Sequence, residues 1–130
     1  MTILTIRTDK PEAEIGLYDN NHQVNTETWQ AHRQLAETIH LKIRDLLKTA
    51  RKDIVDVQAI VVYQGPGSFT GLRIGITVAN ALADGLAASI VGATGETWVS
   101  KGIQRLQSGE NDVIVVPEYG ALPNITAPRK

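Results

Sequence analysis

The arrangement of apolar and polar residues over the first thirty positions predicts three successive strands. Residues 3–6 form a short apolar stretch, Ala13, Ile15 and Leu17 alternate with polar or small residues, and an extended pattern resumes over residues 23–29. Alternation with a period of two is typical of half-buried strands. Because the connections between the three segments are short, we expect an antiparallel meander.

After residue 30 the apolar residues recur at three- and four-residue steps, which predicts a long helix over residues 31–51. A continuous apolar run over residues 57–63 suits a central strand that is covered on both faces. The remaining predicted elements are a second helix over 70–86, a short strand over 89–91, a third helix over 96–107 and a last strand over 112–116. The order of the elements up to residue 107 predicts an α/β fold, with a five-stranded mixed sheet and helices on both faces.

The second predicted helix is apolar almost all round. A helix of this kind must be buried, either inside its own domain or against a partner. Its small residues Gly71, Gly75, Ala79 and Ala83 recur every four positions. This row predicts that one side of the helix packs very closely against a neighbouring element.

A glycine-rich segment joins the central strand to this helix. Glycine and proline favour a tight turn, and a helix that starts after such a turn presents free N–H groups and a partial positive charge. The segment is therefore either a docking or anion-binding loop or an unusually tight strand-to-helix connection. Its residues are Gly65, Pro66, Gly67, Ser68, Phe69, Thr70, Gly71, Leu72, Arg73, Ile74 and Gly75.

Four side chains of this segment have alternative roles. Ser68 and Thr70 suit helix capping better than nucleophilic catalysis, because no residue can be identified as their base. Phe69 is either an exposed apolar knob or a plug in the core. Arg73 lies in the first helical turn, where a cation is unfavourable. Its counter-ion is either a carboxylate of the same chain or a carboxylate or phosphate of a partner.

Composition excludes several kinds of chemistry. The 130 residues predict one domain with a modest core, and the net charge of −1 gives no general attraction to nucleic acid or anionic membranes. The cations of the first helix are therefore interpreted as a solvated face. The chain has no cysteine, and His22, His32 and His40 lack metal-ligand spacing. We predict no metal and no cofactor, and the absence of a signal peptide or membrane span favours the cytoplasm.

The segment from Gly65 to Gly75, the preceding Val61-Val62-Tyr63 and the order of elements resemble the TsaB (YeaZ) family of bacterial tRNA threonylcarbamoyladenosine biosynthesis proteins. His32 and Leu35 at the start of the first helix, and Val91-Gly92 after the second, match the same family. The similarity extends from about Ile3 to about Leu106. An eleven-residue string of this kind is far more specific than a lone Gly-x-Gly.

The resemblance implies an actin-like or RNase H-like lobe over residues 1–109, followed over 110–130 by a vestigial strand and a loosely ordered tail. Members of this family are non-catalytic subunits that pair with their catalytic homologue TsaD, and the ATPase TsaE joins the pair. The complex transfers a threonylcarbamoyl group to adenosine 37 of tRNA, so we expect tRNA to be met only indirectly. Alone, the chain is expected to form a homodimer through the face that would otherwise bind TsaD.

The family pairs through the helices of its N-terminal lobe, which places the expected interface on the first two helices. Apolar burial would drive the association, because a standard interface removes about 800 Å² of surface per partner. The expected interface residues are Leu35, Ile39, Phe69, Leu72, Arg73, Ile76, Ala79 and Ala83.

One departure from the family weakens an enzymatic interpretation. The first strand of the family usually ends in an Ile-Asp-Thr-Ser-like sequence, whereas here Ile6 is followed by Arg7, Thr8 and Asp9. In actin-like ATPases the acid at that point helps to hold metal and phosphate, which an arginine cannot do. The alternative function, a nucleotide-binding phosphotransferase or ATPase, rests on fold and loop alone. An RNase H-like nuclease would need clustered carboxylates, and only Asp9 lies near a strand end.

Overall fold

A computed structural model describes residues 1–67 and 69–119 of the chain. The described residues form a five-stranded sheet in the order β3-β2-β1-β4-β5, in which β1 pairs antiparallel with β2 and parallel with β4. This architecture confirms the predicted α/β class and the mixed sheet. The elements are β1 (Thr2–Arg7), β2 (Glu12–Asp19), β3 (His22–Gln30), α1 (Leu35–Thr49), β4 (Ala59–Tyr63), α2 (Phe69–Leu86), β5 (Ser89–Ala93) and α3 (Trp98–Gln107).

The centre of the sheet is apolar on both sides. All five residues of β4 are buried, as a strand must be when it is covered on both faces. Helix α3 covers one face, where Gly102 lies against Val61, and α2 covers the other. Helix α1 packs on β2 and β3 beside α2. The prediction of helices on both faces is therefore confirmed.

Helix α1 begins later than predicted. Residues His32–Gln34 form a 3₁₀ turn, and the α-helix starts at Leu35. His32 has a φ of 45°, which an α-helix cannot contain. The stripe of Leu35, Ile39 and Ile43 is buried as its period requires. No helix in the described part of the chain has both the length and the apolar character needed to cross a membrane.

The last predicted strand, over residues 112–116, is wrong. This segment follows α3 and lies beside β5 without joining the sheet. Side chains make several of its contacts in place of a regular ladder: Asn111 accepts a hydrogen bond from the Ile90 amide, and Asp112 accepts one from Gly92. An apolar run predicts burial. It cannot show whether the segment joins the sheet through a backbone ladder or is held beside β5 by side-chain hydrogen bonds. The tail beyond residue 119 lies outside the described residues.

The row of small residues on α2 faces inward, as predicted. The Thr8 hydroxyl, just past β1, donates a 2.7 Å hydrogen bond to the Gly71 carbonyl oxygen. A Cβ atom on Gly75 would collide with the Thr8 side chain, so only glycine allows this approach. Ala79 and Ala83 continue the same buried face. Close packing therefore fixes the rotation of α2 about its own axis.

Candidate functional site

The parallel strands β1, β4 and β5 end at one edge of the sheet. In open α/β sheets, ligands bind outside the carboxyl ends of the strands. A ligand site of this fold is therefore expected at this edge. It carries Arg7 at the end of β1, Tyr63 at the end of β4, and the loop that leads into α2.

An arginine and an aspartate neutralise each other at this edge. Arg7 and Asp9 form a bidentate pair, with Nε–Oδ1 and Nη2–Oδ2 distances of 2.7 and 3.1 Å. The Arg7 guanidinium also lies 4.0 Å above the centre of the Tyr63 ring. The hydrogen bond that Arg7 donates to Asp9 holds the pKa of Arg7 above its ordinary value, against the opposing effect of burial. Both carboxylate oxygens of Asp9 are engaged by a cation, so the residues present do not fit the metal and phosphate site of an actin-like ATPase.

A segment that we call the strap, residues 111–118, runs beside β5 and reaches Gln64, just past the end of β4. The Glu118 amide donates to the Gln64 carbonyl oxygen at 2.8 Å, and the Gln64 side chain donates to Val116 at 2.9 Å. Gly65 has a φ of 129°, and a Cβ atom there would collide with the Glu118 carbonyl oxygen. The chain itself thus covers the end of β4 at this edge.

The close contacts of the glycine-rich segment favour a tight strand-to-helix connection over a docking or anion-binding loop. Gly65 lies against the strap, Gly67 against Asp9, and Gly75 against Thr8. The glycines therefore bring the backbone close to other parts of the chain, as a tight strand-to-helix connection requires. Thr70 is exposed and lies inside α2, so it does not cap the helix. Ser68 lies outside the described residues, and its predicted capping role stays a prediction.

Six of the eight expected interface residues need correction. Their side chains are at most 4% exposed because they face the sheet, not solvent, and they cannot touch a partner in this fold. The sequence could not fix which side of an apolar helix faces inward. The backbone of Phe69 opens α2, and its role stays a prediction. The six corrected residues are Leu35, Ile39, Leu72, Ile76, Ala79 and Ala83.

Arg73 is the expected interface residue that is exposed. The first turn of α2 contains no acidic residue, and no carboxylate of the described residues lies within ion-pair distance of Arg73. The compensating carboxylate is therefore not found in the described part of the same chain. A partner anion remains the open alternative.

An open groove runs between α1 and α2, and we call it the α1–α2 groove. One part has a volume of 570 Å³, and an adjoining part of 430 Å³ shares His40 with it. Half-buried apolar residues of α2 form its wall, spaced one helical turn apart. The hydrophobic pattern alone does not single out these wall residues, although they lie next to the small-residue row that marks the inward side. They are Ile74, Val78 and Leu82.

His22, His32 and His40 are exposed. His32 and His40 line different cavities near the start and the middle of the groove. Among residues 1–67 and 69–119, no three histidine or acidic side chains are grouped so that they could hold a metal ion.

The strand order and the covering helices place the chain in the class of RNase H-like α/β lobes that includes the actin-like proteins. RuvC from Thermus thermophilus shares the fold, with a TM-score of 0.51 and 12% sequence identity over 95% of this chain and 88% of that one. At so low an identity the likeness concerns the fold alone.

The family follows from closer matches. A family model described as "TsaD: tRNA N6-adenosine threonylcarbamoyltransferase" matches residues 27–95, just over half of the chain. TsaB of Escherichia coli K12 is 32% identical over 105 residues, which cover 81% of this chain and 45% of that protein. YeaZ from Pseudomonas aeruginosa superposes with a TM-score of 0.68 and 27% identity, over 82% of this chain and 50% of that one. The chain belongs to this tRNA threonylcarbamoyladenosine family, on its TsaB (YeaZ) side.

A second curated relative gives the same result. TsaB of Haemophilus influenzae is 25% identical over 121 residues, which cover 89% of this chain and 49% of that protein. The chain thus spans about half the length of the curated relatives it matches. The resemblance found in the sequence is confirmed.

Proposed function

We propose that this chain is a non-catalytic subunit in tRNA threonylcarbamoyladenosine biosynthesis and that it binds the catalytic homologue TsaD through the α1–α2 groove. The names of its relatives support the process. The contrast between a sheet edge that is covered at β4 and an open helical groove supports the mode of action. TsaE and tRNA would then meet the assembled pair in the cytoplasm, with tRNA contacted only indirectly.

One observation carries this proposal: α2 offers apolar side chains to solvent beside α1. Ile74, Val78 and Leu82 are only partly buried, although they project from the most apolar helix of the described fold. Covering them with a partner would remove apolar surface from water, at about 25 cal/mol for each Å². A partner helix laid in the groove would do this. In the absence of TsaD, a second copy of the chain would occupy the same groove more weakly.

The sheet edge argues against the alternative of an ATPase or phosphotransferase. The Asp9 carboxylate is paired with Arg7, and the strap covers the end of β4. We expect calorimetric titration of ATP with Mg²⁺ into the chain to show no binding. Micromolar affinity accompanied by turnover would favour the enzyme instead.

Co-elution with TsaD in size-exclusion chromatography tests the proposal. The wild-type chain should form a heterodimer, and Thr77→Arg and Val78→Arg should abolish it while the circular dichroism spectrum stays folded. Thr77 is exposed and lines the groove, so an arginine there blocks the surface without entering the core. Ser100→Arg is the matched control, because Ser100 is exposed on α3 across the sheet. An intact complex with both groove variants would refute the proposal.

A further inference from the structure

The rim of the α1–α2 groove is formed by cations. Arg44 and Lys48 lie one helical turn apart on α1, and Lys52 follows the end of the helix. All three line the larger part of the groove together with His40. Beneath them lies an apolar floor made of Ile43, Leu47 and Ile54, beside Leu82 of the wall.

These rim charges are poorly neutralised by the rest of the described chain. Lys42, on another side of α1, pairs with Glu27 at 3.0 Å. Arg44 has only a 3.4 Å contact with its exposed neighbour Asp45, a type of pair that contributes little. Lys48 and Lys52 have no carboxylate within 4.0 Å among the described residues.

The acid that lines this part of the groove does not offset the rim charge by pairing with it. The Asp53 side chain accepts a hydrogen bond from the backbone of the following 3₁₀ turn. Arg44 and Lys48 are also at a spacing where like charges lower helix stability by about 0.2–0.5 kcal/mol. The groove is therefore a positive region on a chain whose net charge is −1.

We propose that the α1–α2 groove selects a partner face that is apolar along its centre and acidic at its flanks. Apolar residues of such a face would cover the floor, and its Asp or Glu side chains would lie over Arg44, Lys48 and Lys52. This inference rests on the proposed function and specifies the chemistry of the partner. Complementary charge supplies specificity and association rate more than raw affinity.

The same charges discriminate against a second copy of the chain. In a symmetric dimer the same patch meets itself, so the cationic rims of two copies would come close together. Like charges placed face to face disfavour the wrong partner. The groove thus favours the acidic heterologous partner over the homodimer, and salt should act on the two associations with opposite signs.

A cationic groove could also attract RNA phosphates, but its lining favours a protein. No aromatic side chain is among the residues that line either part of the groove, so bases would find no stacking platform. The apolar floor would remain uncovered by a phosphate backbone.

The test measures both associations by sedimentation as the salt concentration rises from about 0.05 M to about 0.5 M, where surface charges become screened. Affinity for TsaD should fall with salt, whereas self-association should rise. Lys48→Glu with Lys52→Glu should weaken the heterodimer about tenfold at low salt. Lys48→Gln with Lys52→Gln should strengthen the homodimer, because neutral side chains no longer repel a second copy. Lys52→Glu alone, outside the helix, should weaken the heterodimer by a smaller factor. Lys101→Glu, which removes an exposed cation from α3, should change neither.

The outcomes separate the two proposals. If Thr77→Arg abolishes the heterodimer but the charge reversals and salt leave it unchanged, the charge inference is wrong and the proposed function stands. If all groove variants bind TsaD normally, the proposed function is wrong as well. If the isolated chain binds fluorescent tRNA and only that binding is lost on charge reversal, the rim serves RNA and the inference is overturned.

Discussion

At the scale of residues, a few side chains explain why the end of β1 does not fit an ATPase site. Arg7 ends β1, and it pairs with Asp9 in the bend that follows. The sequence showed the unusual arginine but did not predict this pairing. The contact of Arg7 with the Tyr63 ring needed the register of β1 beside β4, which no local pattern contains.

Gly75 has no room for a side chain, whereas Gly85 of the same helix has open space around it. Gly75→Ala should lower the free energy of unfolding by about 1–3 kcal/mol, because the added methyl group collides with Thr8. Gly85→Ala should raise it by up to about 1 kcal/mol, since nothing lies near that position and alanine favours a helix. Urea unfolding midpoints of both variants check this pair. Equal effects in the two variants would refute the close packing of α2 on Thr8.

At the scale of elements, hydropathy predicted the order of strands and helices but not which side of α2 is buried. An all-round apolar helix leaves its rotation open, so Leu72 and Ile76 could be assigned to a partner. The small-residue row held the missing information, because the side that approaches a neighbour most closely faces the core. Gly71 and Gly75 therefore mark the inward face.

The strap shows why the last strand was mispredicted. The continuous apolar run over 113–116 suits a strand, and Val115 is indeed buried. A side-chain amide of α2 holds this residue: Asn80 accepts from the Val115 amide and donates to its carbonyl oxygen, both at 2.9 Å. Tertiary side-chain contacts of this kind leave no periodic signal.

Removing the Asn80 side chain should release the strap. In Asn80→Ala, we expect the Val115 amide to exchange with deuterium at least about tenfold faster, because its acceptor is lost. Exchange within β4 should stay slow. Asn21→Ala, which changes an exposed asparagine of the β2–β3 turn, serves as the control. Unchanged protection of Val115 in Asn80→Ala would show that the amide clamp does not hold the strap.

On the scale of the whole molecule, positive and negative side chains lie in different regions, although the net charge is only −1. The rim of the groove is positive, whereas Arg105 of α3 pairs with two acids, Glu110 just before the strap and Asp112 within it. Net charge predicted no attraction to nucleic acid, but it averages over such regions. Only the packing of α1 beside α2 brings the rim charges and the apolar wall into one surface.

The Arg105–Asp112 pair makes stability depend on acid pH. The Arg105 hydrogen bonds, with help from the Gly92 amide, hold the pKa of Asp112 below its usual range. Its contribution is therefore complete above the ordinary carboxyl pKa and is lost as pH falls through the lowered value. Asp112→Asn should cost about 1–3 kcal/mol at neutral pH and nothing at the acid limit. Unfolding at several pH values checks this, and parallel profiles for wild type and variant would contradict it.

Amide hydrogen exchange of the chain with and without TsaD tests the central claim most directly, because it locates the contact surface without any substitution. The account predicts added protection on both walls of the α1–α2 groove, over residues 36–52 and 70–86, with α3 and β3 unchanged. Protection confined to α3, the strap or the edge strand β3 would contradict it, as would no protection at concentrations where the two proteins co-elute.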